Sequence, residues 1–446
     1  MKTAREVALL TLSANGEEGA WTGAYLNNAV NREHFDHRES ALALRLCYGV
    51  LQNRALCDFY LSQFCTVPLR KLENKILNAM RLGVYQILFL DKIPISAAVN
   101  ESVNLAKKYG KNPRSPGLVN AVLREVVRHQ DKLPTIPTKD PIEYLSIRYS
   151  HPKWLVKEIY FALKKDIKET EACLNANNTE ASLTLQINPL KATPETLKSS
   201  LENQSRATPH PWLPGCLEVR QSGSLEQLAG WQDGLFWVQD PAAKLAVMAA
   251  APQKGWKVLD ACAAPGGKSF AAAALMENTG SIFACDIHKR KLQLVEEGAA
   301  RLGFSCIQTE VQDAGKQRAE WEQQFDLVIA DLPCSGLGVI RKKPDIRYHT
   351  PEPMEALPSV QKRLLRTLSR YVKPGGTLLY STCTILTREN EDVVAAFLDE
   401  HSEFSLEAFS MPCPNGNATE GMLTLWPQVQ GTDGFFIARM RRKAVE

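Results

Sequence analysis

The sequence predicts a multi-domain chain in three parts: an all-α N-terminal domain, a small α+β middle domain and an α/β C-terminal domain on a doubly wound sheet. Three observations predict it. Apolar residues recur at helical spacing through residues 1–130. A stretch with three prolines, 131–141, interrupts them. Beyond residue 234, near-continuous apolar strands alternate with helical stretches.

In the first part, Leu44-Arg-Leu-Cys-Tyr-Gly-Val-Leu51 and the run from Ile76 to Leu90 carry the helical period, and Pro94 separates the latter from a third helix through Ala97 and Ala106. Arg81, Lys107, Lys108, Lys111 and Arg114 fall on the polar faces, where they read either as solvated charge or as a surface for phosphate. The charge distribution sharpens this. Residues 1–150 hold 20 Lys+Arg against 14 Asp+Glu, a net of +6, whereas the remaining 33 against 35 give −2. The N-terminal part is therefore the expected partner of a polyanion.

The second part, 141–235, mixes a helix (152–164), a strand (182–187) and a looser helix (194–201). In the third part, 236–446, strands are expected at 257–261, 281–286, 306–311, 326–331, 377–382 and 434–440, with helices at 268–276, 289–302 and 360–372. Runs such as Leu327-Val-Ile-Ala330 are those of a sheet covered on both faces.

The 446 residues are 44% hydrophobic and 23% charged, enough to bury several cores, and no apolar run is long enough to cross a membrane. The eleven cysteines form neither a disulfide framework nor a metal-binding spacing. These features predict a cytoplasmic chain without membrane or metal partners.

Ligands of doubly wound sheets bind outside the strands' carboxyl ends. Asp260, Asp286, Asp313 and Asp331 fall at or near such ends. The first strand runs into Asp260-Ala-Cys-Ala-Ala-Pro-Gly-Gly-Lys268, where Gly266 and Gly267 allow close backbone approach and the following helix can aim free amides at a carboxylate. Asp286 is placed for ribose hydroxyls. The loop lacks G-x-G-x-x-G, which argues against a pyridine dinucleotide and for an adenosine-bearing ligand without a pyrophosphate.

Two cysteines follow adjacent strand ends, Cys334 in Asp331-Leu-Pro-Cys-Ser-Gly336 and Cys383 in Ser381-Thr-Cys383. Paired thiols beside such a cofactor fit methylation at carbon 5 of cytosine. That carbon becomes nucleophilic once a thiolate has added to carbon 6. Asp331 is placed to stabilise the ring at N3, and Lys268 to favour a thiolate. Position alone nominates both thiols equally.

Together with Asp433-Gly-Phe-Phe436 and the approach segment Trp237-Val-Gln-Asp-Pro-Ala-Ala243, these motifs resemble the Nol/Nop/Sun family of RNA cytosine-5 methyltransferases. Arg81-Leu-Gly-Val-Tyr-Gln86, Ile93-Pro-Ile-Ser-Ala-Ala-Val-Asn-Glu101 and Val119-Asn-Ala-Val-Leu-Arg124 resemble a NusB-like RNA-binding domain, a combination similar to the family's bacterial 16S ribosomal RNA branch. The resemblance implies a NusB-like domain over 1–135 and a Rossmann-like class I methyltransferase domain over 236–446. It implies S-adenosylmethionine as methyl donor, and 16S ribosomal RNA or a small-subunit assembly intermediate as partner of a monomer. Cofactor contacts carry over to Cys262, Ala263, Ala264, Pro265, Gly266, Gly267, Lys268, Asp286, Asp313 and Asp331. Catalysis carries over to Cys383 as nucleophile, Cys334 in product release and Asp331.

Three positions depart from the family pattern. Leu332 precedes Pro-Cys where alanine is usual; Lys291 and Gln186 stand where arginine is usual, and Gln186 thereby removes an expected RNA contact. Three other classes stay open on the residues. A DNA cytosine-5 methyltransferase would attack with its Pro-Cys thiol, a non-enzymatic RNA-binding factor would need only the helical domain, and an amino-group methyltransferase would carry a polar-Pro-Pro-aromatic motif where Asp331-Leu-Pro-Cys334 stands.

Overall fold

A computed structural model describes residues 2–18, 22–220 and 225–444. The chain forms two compact units, one of residues 1–178 and 342–349, the other of residues 179–341 and 350–446.

The first unit is helical: α1 (Ala4–Glu18), α2 (Thr22–Arg32), α3 (His37–Gln52), α4 (Arg54–Phe64), α5 (Asn74–Phe89), α6 (Ile95–Tyr109), α7 (Ser115–Arg128), α8 (Pro141–Arg148), α9 (Lys153–Ala162) and α10 (Ile167–Ala176). Helix α5 is its axis, buried on almost every face from Asn78 to Gln86. The glycine in Arg81-Leu-Gly-Val-Tyr85 is a packing requirement, because a Cβ on Gly83 would stand 2.5 Å from the Leu123 side chain.

Arg81 corrects an expectation. It is 5% exposed, and its Nε and Nη2 each donate to Asp58 at 2.7 Å, so it is a core ion pair and not a surface for phosphate. Lys107, Lys108, Lys111 and Arg114 are exposed, with Lys108 paired to Glu6. Residues 342–349 return to this unit and bury Arg347 completely. Its guanidinium donates to the carbonyls of Tyr149 and Ser150 at 3.3 Å and to Asn178 Oδ1 at 2.7 Å, and burial brings it down to about 10.

The second unit opens with an antiparallel sheet in the order β2-β3-β1-β4, made of β1 (Leu183–Ile187), β2 (Arg206–Pro209), β3 (Cys216–Arg220) and β4 (Phe236–Val238), with α11 (Pro194–Leu201) packed on it. Gln186 lies on β1 and is fully buried. Its Nε2 donates to Gln239 O at 3.0 Å and its Oε1 accepts from Cys216 Sγ at 2.7 Å, so this side chain is an internal tie.

After α12 (Pro241–Ala250) come β5 (Lys257–Asp260), α13 (Gly267–Leu275), β6 (Ser281–Asp286), α14 (Lys289–Leu302), β7 (Ile307–Val311), β8 (Phe325–Asp331), α15 (Leu357–Ser369), β9 (Val372–Thr382) and α16 (Glu391–Glu400). The C-terminal stretch adds β10 (Phe404–Leu406), β11 (Phe409–Ser410), β12 (Asn417–Ala418), β13 (Met422–Leu425), α17 (Pro427–Gln430) and β14 (Phe435–Arg442). The large sheet runs β10-β14-β9-β8-β5-β6-β7, with β13 also on β14. Strands β5 to β9 are parallel, whereas β14 lies antiparallel on β9. The near-continuous apolar strands cover both faces: Leu327 and Ile329 join the core with α12, α13 and α14, and Val328 and Ala330 the core with α15 and α16. This is a Rossmann-like domain, the fold expected of the C-terminal part.

Candidate active site

The chain reverses strand order at β5, flanked by β6 on one side and β8 on the other, and the expected site residues follow the carboxyl ends of these strands. Asp260 ends β5 and is fully buried; its Oδ2 accepts from Ser269 Oγ at 2.7 Å, while burial pushes its carboxyl up to about 6. The loop after it turns back through a cis Ala264–Pro265 bond, with Ala263 N donating to Cys285 O at 2.8 Å. Gly266 has φ +110, and a Cβ there would stand 2.5 Å from the Phe270 ring. Gly266 caps α13 without a side chain, so the first-turn amides of Gly267, Lys268 and Ser269 have no intrahelical acceptor.

Cys262, Ala263, Ala264, Pro265, Gly267, Lys268, Asp260 and Asp331 line a cavity of about 640 Å³ together with Trp237, Gln239 and Phe270. Asp286 and Asp313 stand outside that lining. Asp286 ends β6 and its Oδ1 accepts from His288 N at 2.9 Å; Asp313 follows β7 and caps Gly315 N at 2.9 Å. Beside them Ile287 and Val311 leave apolar side chains 58% and 52% exposed. Hydroxyl acceptors next to exposed apolar groups suit the ribose and base of an adenosine.

Asp331 ends β8 opposite Ser381 of β9. One carboxylate oxygen accepts from Lys268 Nζ at 2.6 Å and the other from Ser381 Oγ at 2.8 Å. Burial alone would depress the Lys268 ammonium, but the charge and hydrogen bond of Asp331, with the charges of Asp260 and Cys383, together outweigh it and hold the group above its ordinary value.

The two parallel strands bring Cys334 and Cys383 together, Sγ to Sγ at 3.3 Å. Ser335 Oγ and Thr384 Oγ1 join the same two loops at 2.7 Å. Gly338 N donates to Cys383 O at 2.9 Å and Gly434 N to Gly338 O at 2.8 Å. A Cβ on Gly338 would stand 1.8 Å from Gly434 O, which explains the glycines of both motifs. The hydrogen bond with Cys383, reinforced by burial and by the Glu389 charge, pushes the Cys334 thiol well above its ordinary value. The hydrogen bond from Cys334, helped by Lys268, brings Cys383 below its own, against burial and Asp331. Within the pair, ionisation is therefore biased toward Cys383 and the proton toward Cys334. Burial raises Cys262 and Cys285 as well.

Several residues of this site carried little signal in the sequence. Ile287 and Val311 look like ordinary strand residues until their exposure is known. Gln239 carried only its place in the approach segment, and Glu389 and Gln361, behind Cys334, carried no recognisable spacing.

A doubly wound sheet with an adenosine-type site and paired strand-end thiols defines an S-adenosylmethionine-dependent methyltransferase. Residues 247–441 match the family described as 16S rRNA methyltransferase RsmB/F, residues 2–128 the NusB family, and residues 151–226 the ferredoxin-like domain of RsmF/B-like methyltransferases. The probable ribosomal RNA small subunit methyltransferase B of Bacillus subtilis (strain 168) is 35% identical over 98% of each chain, and that of Synechocystis sp. 34% identical over 99% of this chain and 100% of the other. The chain belongs to this family of small-subunit ribosomal RNA methyltransferases. Among solved structures, the crystal structure of PH0851 superposes with a TM-score of 0.80 at 25% identity, covering 99% of both chains. A methyltransferase homolog from Pyrococcus horikoshii superposes at 0.59, also at 25% identity, over 69% of this chain and 100% of that one.

Proposed function

We propose that the chain methylates carbon 5 of a cytosine in 16S ribosomal RNA through a covalent adduct between Cys383 and carbon 6 of the ring. The observation that carries this reading is the Cys334–Cys383 pair at 3.3 Å beside the Lys268–Asp331 ion pair. A thiol biased toward ionisation, with a second thiol in hydrogen-bond reach of the sulfur that must later leave, suits addition followed by elimination.

Bound S-adenosylmethionine supplies an electrophilic methyl group. The Cys383 thiolate forms the S–C6 bond and the C5=C6 electron pair moves to C5, which takes the methyl as the methyl–sulfur bond breaks and its pair stays on sulfur in S-adenosylhomocysteine. Asp331, fixed by Lys268 and Ser381, stabilises the ring at N3 as charge develops. Cys334 serves the release step: the C5 proton leaves to a solvent base, its electron pair restores C5=C6, and the S–C6 bond returns its pair to Cys383, whose sulfur the Cys334 S–H stabilises by its hydrogen bond. For the cofactor we assign the loop Cys262 to Lys268 to the amino-acid end, and Asp286 and Asp313 to the adenosine.

The segments 1–135 and 141–235 are assigned RNA contact and 236–446 chemistry, with residues 221–224 outside the described residues. The names of the relatives support ribosomal RNA as substrate, and the cysteine spacing, with neither a disulfide framework nor a metal pattern, supports a reducing, cytoplasmic compartment. Among the described residues no helix is long and apolar enough to cross a membrane and no His, Cys, Asp or Glu cluster could hold a metal. An extruded target base would cost a few kcal/mol of stacking. The test is transfer of labelled methyl to 16S RNA and to duplex DNA, with bisulfite sequencing of the RNA product. Label in a 16S cytosine is expected; label in DNA, or on an exocyclic amine, would replace this reading.

A further inference from the structure

Glu389 is fully buried, and its recorded side-chain partners are amides, not cations. Taking a carboxylate out of water on amide donors alone is costly, so its retention beside the thiols calls for a reason. Its Oε2 accepts from Ser335 N at 3.0 Å and from Gln361 Nε2 at 2.9 Å. Gln361 Nε2 also bonds Pro333 O at 3.0 Å. The residues on both sides of Cys334 are thus held through one carboxylate and one amide. The neighbouring residue grips the other thiol's loop: Asn390 Oδ1 accepts from Thr382 Oγ1 at 2.6 Å, and its Nδ2 donates to Thr384 O at 3.0 Å. The Tyr380 hydroxyl, from the strand that leads to Cys383, anchors this turn by donating to Glu389 O at 2.5 Å. One short turn therefore sets the spacing of both sulfurs, and Glu389 is its arm toward Cys334.

We propose that Glu389, acting with Gln361, is a positioning residue that holds Cys334 for the release step. This rests on the reading of Cys383 as attacker and Cys334 as releaser. Cys383 makes the attack and keeps the support of Lys268 when Cys334 is displaced, so loss of the Glu389 carboxylate slows elimination more than addition and methyl transfer. A merely structural residue would lower every step together.

The test uses the full-length chain with 16S RNA and S-adenosylmethionine, comparing wild type, Cys334→Ser, Glu389→Ala, Glu389→Gln and Asn390→Ala. Denaturing gels measure the covalent protein–RNA adduct, and S-adenosylhomocysteine affinity reports an intact fold. Glu389→Ala leaves two buried donors without their acceptor, so turnover falls and adduct accumulates by roughly tenfold or more. Glu389→Gln keeps an acceptor oxygen and recovers most of the turnover. Asn390→Ala, on the Cys383 side, slows methylation without accumulating adduct. Adduct with Cys334→Ser but not with Glu389→Ala would overturn the positioning role alone. Absence of adduct with Cys334→Ser would overturn the division between the thiols, and this inference with it.

Discussion

Lys268 Nζ lies 2.6 Å from Asp331 Oδ2, and the same ammonium also favours the ionised form of Cys383. One cation therefore serves two groups that the chemistry uses, the carboxylate at the end of β8 and the thiolate after β9. Removing it withdraws electrostatic support from both, which makes the arrangement testable by pH.

Lys268→Met is expected to raise the Cys383 thiol, since the positive charge that favours its ionised form is gone. The acid limb of kcat/KM should move to higher pH, with activity partly regained in alkaline buffer. A uniform loss at every pH would separate Lys268 from the thiol.

Asp260 gives a stability prediction. Its carboxyl stands at about 6 in the folded chain against an ordinary value of 3.8, so the folded state holds the proton more tightly. Its contribution is then most favourable below the ordinary value and is lost as pH rises through about 6. At neutral pH the ionised group costs up to ~3 kcal/mol, so Asp260→Asn should raise the melting temperature of the ligand-free chain by a few degrees at pH 7.5 and by little at pH 4. A lower melting temperature at pH 7.5 would mean that the carboxylate is a net support.

Gly338→Ala should force the Cys383 and Gly434 loops apart, because the added carbon meets two backbone oxygens. The expected cost is ~1–3 kcal/mol of stability together with a marked fall in turnover. Gly117→Ala, where the added carbon meets nothing within 4 Å, should leave both unchanged or slightly improved. Equal behaviour of the two variants would remove the close approach as the reason for the Gly338 motif.

The C-terminal architecture was largely legible because fully apolar strands and intervening helical periods are strong signals, and both thiols could be placed from strand ends alone. What was not legible concerns burial and long-range pairing. Arg81 sits on what periodicity makes a polar face, yet Asp58, on a different helix, draws it into the core. Gln186 looked like a lost surface contact and is an internal tie between strands. The return of residues 342–349 to the helical unit has no local signal, since Arg347 donates to carbonyl oxygens some 170 to 200 positions away in sequence. The antiparallel seat of β14 is likewise set by pairing, not by its own pattern.

The central claim is the division between two sulfurs 3.3 Å apart, and the most direct measurement is the covalent adduct formed by Cys334→Ser and Cys383→Ser with 16S RNA and S-adenosylmethionine on denaturing gels. Accumulation of a methylated protein–RNA adduct with Cys334→Ser, and neither adduct nor methylation with Cys383→Ser, is the expected result. Adduct accumulation with Cys383→Ser instead would make Cys334 the nucleophile and contradict it.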